Sequence, residues 1–288
     1  MKFNCKKYID SLILQKNRII MTSYKEIFEN LWKDYIKQNP ETKKIHDLFI
    51  SEGETVINDH IAFRTFNHPK VSIEVLSKPF IDAGYEERGS YHFEAKKLVA
   101  HHFEHKTDKD APKVFISALQ PQYFSEFAQK AIAEIIERIP EDFAKDGSFL
   151  WGGSPWGKPN YETYLKLQEE SEYAAWLYVY GFRANHFTVS INALKNHTDI
   201  YDLNQFLRNQ GFVILESGGE VKGTPEQLLE QSSTRAGKIT VDFEDGAREI
   251  RSCFYEFAKR YEDEAGELYT GFIAKSADKI FESTDNVM

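Results

Sequence analysis

Two short segments, far apart in the chain, constrain the fold most. In Arg183-Ala184-Asn185-His186-Phe187-Thr188-Val189-Ser190-Ile191-Asn192 apolar and polar side chains alternate with period two, which predicts a strand. Phe187, Val189 and Ile191 fall on one face; His186, Thr188, Ser190 and Asn192 fall on the other. His60-Ile61-Ala62-Phe63-Arg64-Thr65-Phe66 repeats the design. There His60, Ala62, Arg64 and Phe66 share a face, and Ile61, Phe63 and Thr65 share the opposite one. Two strands, each opened by a histidine and lying in different halves of the chain, imply a metal site built between two similar modules.

A third strand supplies a carboxylate. In Cys253-Phe254-Tyr255-Glu256-Phe257-Ala258-Lys259, Glu256 shares a face with Phe254 and Ala258. An unpaired charge in that apolar setting is costly, so Glu256 needs a cation. His60, His186 and Glu256 would form a two-histidine, one-carboxylate triad with open coordination positions. Such a set favours Fe(II) where oxygen chemistry follows, and Mn, Zn or Ni accept the same donors.

Bulk properties exclude some functions. With 41% hydrophobic and 28% charged residues over 288 positions, the chain reads as an ordinary globular protein. A net charge of −9 argues against a basic nucleic-acid surface and against docking to anionic membranes. Only Cys5 and Cys253 are present, so disulfides are not the main organiser and a cytoplasmic setting is expected. Residues 1–22 are expected to be a peripheral segment. Lysine rather than arginine dominates them, which disfavours a mitochondrial presequence.

Residues 23–288 are expected to form a single α+β domain, with βαβββ modules at about 56–120 and 182–262 and a helical insertion between them. Helices are expected at 23–39, 40–52, 72–83, 123–138, 161–180, 199–210 and, briefly, 225–231. Strands are expected at 60–66, 86–93, 97–105, 113–119, 183–192 and 212–216. A hairpin is expected between 238–243 and 250–260, turning at Asp245-Gly246. His92, His101, His102 and His105 read as a solvated charged hairpin, with His101 or His102 able to approach the cup. Ser171-Glu172-Tyr173-Ala174-Ala175-Trp176 reads as core helix packing, and Cys253 as a small core residue.

The chain resembles the 2-oxoadipate dioxygenase/decarboxylase family of the vicinal oxygen chelate (glyoxalase-like) superfamily. The resemblance runs from about His60 to Tyr261. It rests on Asp59-His60-Ile61-Ala62-Phe63-Arg64-Thr65, Ser171-Glu172-Tyr173-Ala174-Ala175-Trp176, Arg183-Ala184-Asn185-His186-Phe187-Thr188, Leu229-Glu230-Gln231-Ser232-Ser233-Thr234 and Tyr255-Glu256-Phe257-Ala258. It implies a cupped mixed sheet, and Fe(II) held by His60, His186 and Glu256. It also implies that a 2-oxo dicarboxylic acid and O2 yield a shortened 2-hydroxy acid and CO2. By the same carry-over Arg64 is the catalytic, substrate-positioning arginine. Four residues along a strand put it on the His60 face, roughly 13 Å away along the backbone. Gln231, Ser232 and Ser233 are candidates to bind the substrate. Little sequence follows the last strand, so the cup is expected to lack the C-terminal wall of longer members. Two other readings stay open: a glyoxalase-like lyase or isomerase using its metal as Lewis acid, and a metal-free module binding a small acid.

Overall fold

The computed structural model describes residues 23–273. The expected peripheral segment, residues 1–22, lies outside the described residues. Helices α1 (Tyr24–Gln38) and α2 (Pro40–Ser51) come first. The Ser23 hydroxyl caps α1 by accepting from the Lys25 N–H, and Pro40 opens α2 where no N–H partner is needed. The first module is β1 (Asn58–Phe66), α3 (Ile73–Asp82), β2 (Tyr85–Phe93), β3 (Leu98–His105) and β4 (Lys113–Leu119). The insertion carries α4 (Glu126–Arg138), α5 (Tyr161–Glu170) and α6 (Glu172–Tyr180). The second module is β5 (Ala184–Ser190), α7 (Ile200–Asn209), β6 (Lys222–Thr224), β7 (Leu229–Ser233), β8 (Lys238–Phe243), β9 (Gly246–Arg251) and β10 (Phe254–Arg260).

Eight strands form one curled mixed sheet in the order β2-β3-β4-β1-β5-β10-β7-β6, while β8 and β9 form a separate hairpin. β1 and β5 run antiparallel at the centre. Each also pairs in parallel with the last strand of its own module, β1 with β4 and β5 with β10. This is the paired-module α+β architecture that the alternation implied.

The apolar face of the central strands is covered by α1, α2 and α3. Phe187 packs on Tyr35 and Trp32 at 4.8 and 5.1 Å, Phe257 on Phe49 at 6.2 Å, and Phe63 on Phe80 at 5.5 Å between ring centroids. The opposite face is left for His60, His186 and Glu256. The β1–β5 ladder shifts register on both sides of His60–Ala62. Such bulges bend a strand and re-aim its side chains.

Four sequence expectations change. The helix expected over 161–180 is two helices, because Ser171 leaves helical geometry and its hydroxyl accepts from the Ala174 N–H to cap α6. The helix expected at 225–231 is a single turn, ended by Leu228 in the left-handed region; Leu229–Ser233 then pairs with β10. The strand expected at 212–216 reduces to one bridge, Ile214 with Thr234, and Lys222–Thr224 takes the sheet edge. In the last hairpin β8 pairs with Gly246–Arg251, which frees Phe254–Arg260 to join the main sheet.

Gly181 makes the sharp passage from α6 into β5, the strand that carries His186. Its φ is +70° and its ψ −151°, and a Cβ there would stand 2.4 Å from the Gly153 carbonyl oxygen. Gly181→Ala is therefore expected to destabilise the fold by roughly 2–5 kcal/mol, from left-handed strain plus overpacking. A thermal melt should show Tm lowered by roughly 5–15 °C. An unchanged Tm would refute the reading of this passage.

Candidate metal centre

β1, β5 and β10 lie side by side, and each contributes one donor to the same face. His60 is 2% exposed, His186 6% and Glu256 0%. One donor atom from each lies within 4.8 Å of the others. His60 Nε2 is 3.4 Å from Glu256 Oε1, and His186 Nε2 is 3.4 Å from Glu256 Oε2. Cross-strand register produces this convergence: Thr188 of β5 stands between His60 of β1 and Glu256 of β10.

Neighbouring groups aim the ligands. His60 Nδ1–H donates to Asp59 Oδ1 at 2.7 Å, and His186 Nδ1–H donates to Asn185 Oδ1 at 3.1 Å. Both Nε2 lone pairs therefore point at the shared centre. Asp59 is itself gripped by Arg260, through Nε at 2.6 Å and Nη2 at 2.9 Å. Burial pushes the Asp59 carboxyl up, but the Arg260 charge and the bonds from His60 and Arg260 outweigh it and hold Asp59 well below the usual carboxylate range. Burial lowers His60 and, further, His186, where the charges of His60 and Arg64 add to the effect. Both imidazoles are thus neutral and able to coordinate.

Glu256 is the strained member. Burial pushes its carboxyl up to about 8, although hydrogen bonds from Gln231 and Thr188 oppose the shift. Gln231 Nε2 donates to Oε1 at 2.6 Å, whereas Oε2 is buried without a hydrogen-bond partner. Two neutral imidazoles and a carboxylate with an orphaned oxygen fit a divalent cation. The donor set alone does not select which one.

The other expected site residues divide. Arg64 lies on the ligand face of β1 and is 1% exposed. Its Nη1 donates to both Glu172 oxygens, at 3.0 and 3.2 Å, and its guanidinium packs on Tyr173 and Trp176 at 4.7 and 5.1 Å. Glu172, within the segment read as plain helix packing, is thus its anchor. Gln231 touches the carboxylate ligand, and Ser233 stands opposite Glu256 in the ladder. Ser232 alternates onto the helix-covered face, where its hydroxyl donates to Asn204 at 2.8 Å, so it is turned away from the cup. Of the histidine hairpin, His102 is 3% exposed and bonded to Tyr91 and Glu104, so it is not part of a solvated face.

Sequence reasoning passed over Arg260 and Phe272. Arg260 was legible, since it follows Glu256 by four residues on one strand face. Phe272 was not, because it lies beyond the last strand. The cup does have a wall there: residues 261–273 fold back, and the Phe272 ring stands 4.8 Å from that of His60.

Without metal, Glu256 titrates near 8 in the folded chain against 4.5 ordinarily. Its folded value is raised, so the stability it contributes at low pH is lost as pH climbs through about 8. A bound cation replaces that proton. Metal titration near pH 7 should release close to one proton, and release should fade above about pH 9. Calorimetry in two buffers of different ionisation enthalpy measures this. Absence of proton release near neutrality would show that the Glu256 carboxyl is already ionised before metal binds, and would overturn its raised pKa.

The sequence and fold are similar to those of known proteins. The family model for 2-oxoadipate dioxygenase/decarboxylase matches residues 21–146 and 147–268. The chloroplastic 2-oxoadipate dioxygenase/decarboxylase of Arabidopsis thaliana is 36% identical, over 87% of this chain and 74% of its own length. The crystal structure of the Oryza sativa hydroxyglutarate synthase in complex with 2-oxoadipate superposes with a TM-score of 0.85 at 34% identity, covering 91% of this chain and 92% of that one. A Shewanella frigidimarina protein, provisionally described as a hydrolase, superposes at 0.83 with 52% identity, covering 88% and 98%. A Ralstonia eutropha glyoxalase-superfamily protein, 19% identical, shares the fold with a TM-score of 0.71 over 86% and 84%. A family model that spans residues 21–268, with relatives about a third identical along most of the chain, establishes that the chain belongs to the 2-oxoadipate dioxygenase/decarboxylase family.

Proposed function

We infer that this protein is an Fe(II)-dependent dioxygenase that decarboxylates 2-oxoadipate to 2-hydroxyglutarate, with both modules working as one unit. The observation that carries the reading is the convergence of the buried His60 and His186 imidazoles on the half-satisfied, buried Glu256 carboxylate. The overall reaction balances: one 2-oxoadipate and one O2 give one 2-hydroxyglutarate and one CO2. Iron, when bound, would supply electrons to O2 and a template for the 2-oxo acid head group.

The chain's own residues bind and orient. Asp59 and Asn185 keep the two imidazoles in their coordinating tautomer. Gln231 fixes one oxygen of Glu256 and so sets the rotation of its carboxylate. Arg64 is assigned to the distal carboxylate of the substrate. It is the cation on the ligand face of β1, and its charge already reaches His186. Glu172, Tyr173 and Trp176 hold its guanidinium in place, so little side-chain entropy is lost when an acid docks. Ser233 is assigned a hydrogen-bonding role beside Glu256; Ser232 is not carried forward.

Among the described residues no helix is long and apolar enough to cross a membrane. A reducing cytoplasm suits the buried free thiol of Cys253, which burial pushes up to about 12 and so leaves unreactive.

Anaerobic loading with Fe(II), then addition of 2-oxoadipate and air, should consume O2 and release CO2 one for one. His186→Ala should lose metal and turnover by more than about a hundredfold, beyond what loss of an outer partner costs. Turnover without oxygen uptake would instead favour a lyase or isomerase. Arg64→Lys keeps the charge but loses the fork, and should raise KM for 2-oxoadipate by about ten- to a hundredfold. KM for a monocarboxylic 2-oxo acid should barely move; an equal rise for both acids would remove Arg64 from the distal contact.

A further inference from the structure

After β10 the chain turns on itself. Glu262 bridges Leu268, and the Tyr269 N–H donates to the Tyr261 carbonyl at 3.0 Å, which returns residues 269–272 to the ligand face. Two latches hold them there. Arg260 Nη1 donates to the carbonyls of Tyr269 and Gly271 at 2.9 and 2.8 Å. The Phe272 N–H donates to the Tyr91 hydroxyl at 3.1 Å, and Tyr91 is bonded in turn to His102 Nδ1 at 2.9 Å. The Phe272 ring is thereby pressed among His60, Phe115 and His102, at 4.8, 4.9 and 5.3 Å between centroids, and is 7% exposed.

One guanidinium serves both ends of this arrangement. Arg260 grips Asp59, the carboxylate that orients His60, with Nε and Nη2. The same group holds the returning strap with Nη1. Arg260 is 4% exposed, so release of the strap would deprive a buried cation of two acceptors. Release would also lift the Phe272 ring off a candidate ligand imidazole.

We propose that residues 261–273 form a strap coupled to the metal site, with Arg260 as the positioning residue that transmits strap closure to His60 through Asp59. This rests on the reading of His60 as a ligand. A cation that fixes His60 favours the geometry in which Asp59, Arg260 and Phe272 meet. A closed strap, in turn, lowers the cost of holding His60 for the cation. Linkage makes the two effects equal. A strap that only adds packing would show neither.

The test uses the full chain and Co(II), whose visible spectrum reports its ligands. In the wild type, Co(II) should slow hydrogen exchange at the amides of residues 269–272, and a chelator should reverse the change. Phe272→Ala and Tyr91→Phe remove strap contacts without altering a donor, and each should weaken Co(II) binding by roughly 5- to 150-fold. Arg260→Lys should weaken it too; if that variant does not fold, the other two decide. Normal Co(II) binding with unchanged strap exchange and wild-type affinity in Phe272→Ala would overturn the coupling while leaving the metal site intact. No Co(II) binding by the wild type would overturn both, a separate and recognisable failure.

Discussion

The Glu256 carboxylate, shut away from water between two neutral imidazoles, is the constraint on which the site depends. Burial of a carboxyl without a counter-charge is unfavourable, and only one of its oxygens has a hydrogen-bond donor. The fold tolerates this through a proton or through a cation. Each solution demands the same surroundings: imidazoles kept neutral and their far nitrogens tied down. His60, His186, Asp59 and Asn185 meet those demands. The same apolar enclosure that makes the carboxyl reluctant to ionise strengthens its attraction for a divalent ion.

The convergence of the candidate triad was legible because period-two alternation states which face a side chain occupies, and burial converts a face into a shared space. Nothing in that argument needs distances, so it works for His60, His186 and Glu256. It also separates Gln231 from Ser232, neighbours that the motif alone treats alike but the strand sends to opposite faces. Alternation is blind where helix ends compete with side-chain caps, as at Ser171, and where a left-handed residue such as Leu228 ends one element and starts another. It says nothing of Glu172, whose partner Arg64 lies across the insertion, nor of a segment beyond the last strand. Those contacts are tertiary, and no local period encodes them.

Arg260 shows how a position four residues from a ligand acquires a structural duty. On β10 it shares the face of Glu256, but the strand carries it past the cup to the level of Asp59. A lysine could answer the charge of Asp59 there. It could not grip two carboxylate oxygens and two backbone carbonyls at once, which takes a planar fork. The residue type is thus set by geometry rather than by charge alone.

The two modules are alike in topology but not in chemistry. On β5, His186 lies beside Phe254 of β10, and Glu256 follows two residues on. On β1, His60 lies beside Lys113 of β4, and two residues on stands Phe115. Phe115 therefore occupies the position that corresponds to Glu256. A carboxylate there would give the cup a fourth protein ligand and a second negative charge. With phenylalanine the first module offers one candidate donor and the second offers two, so the candidate set has none from β4. Phe272 packs on Phe115 at that side, 4.9 Å between ring centroids. That side of the candidate donor set is therefore walled by aromatic rings, Phe115 and Phe272, where the second module has its carboxylate.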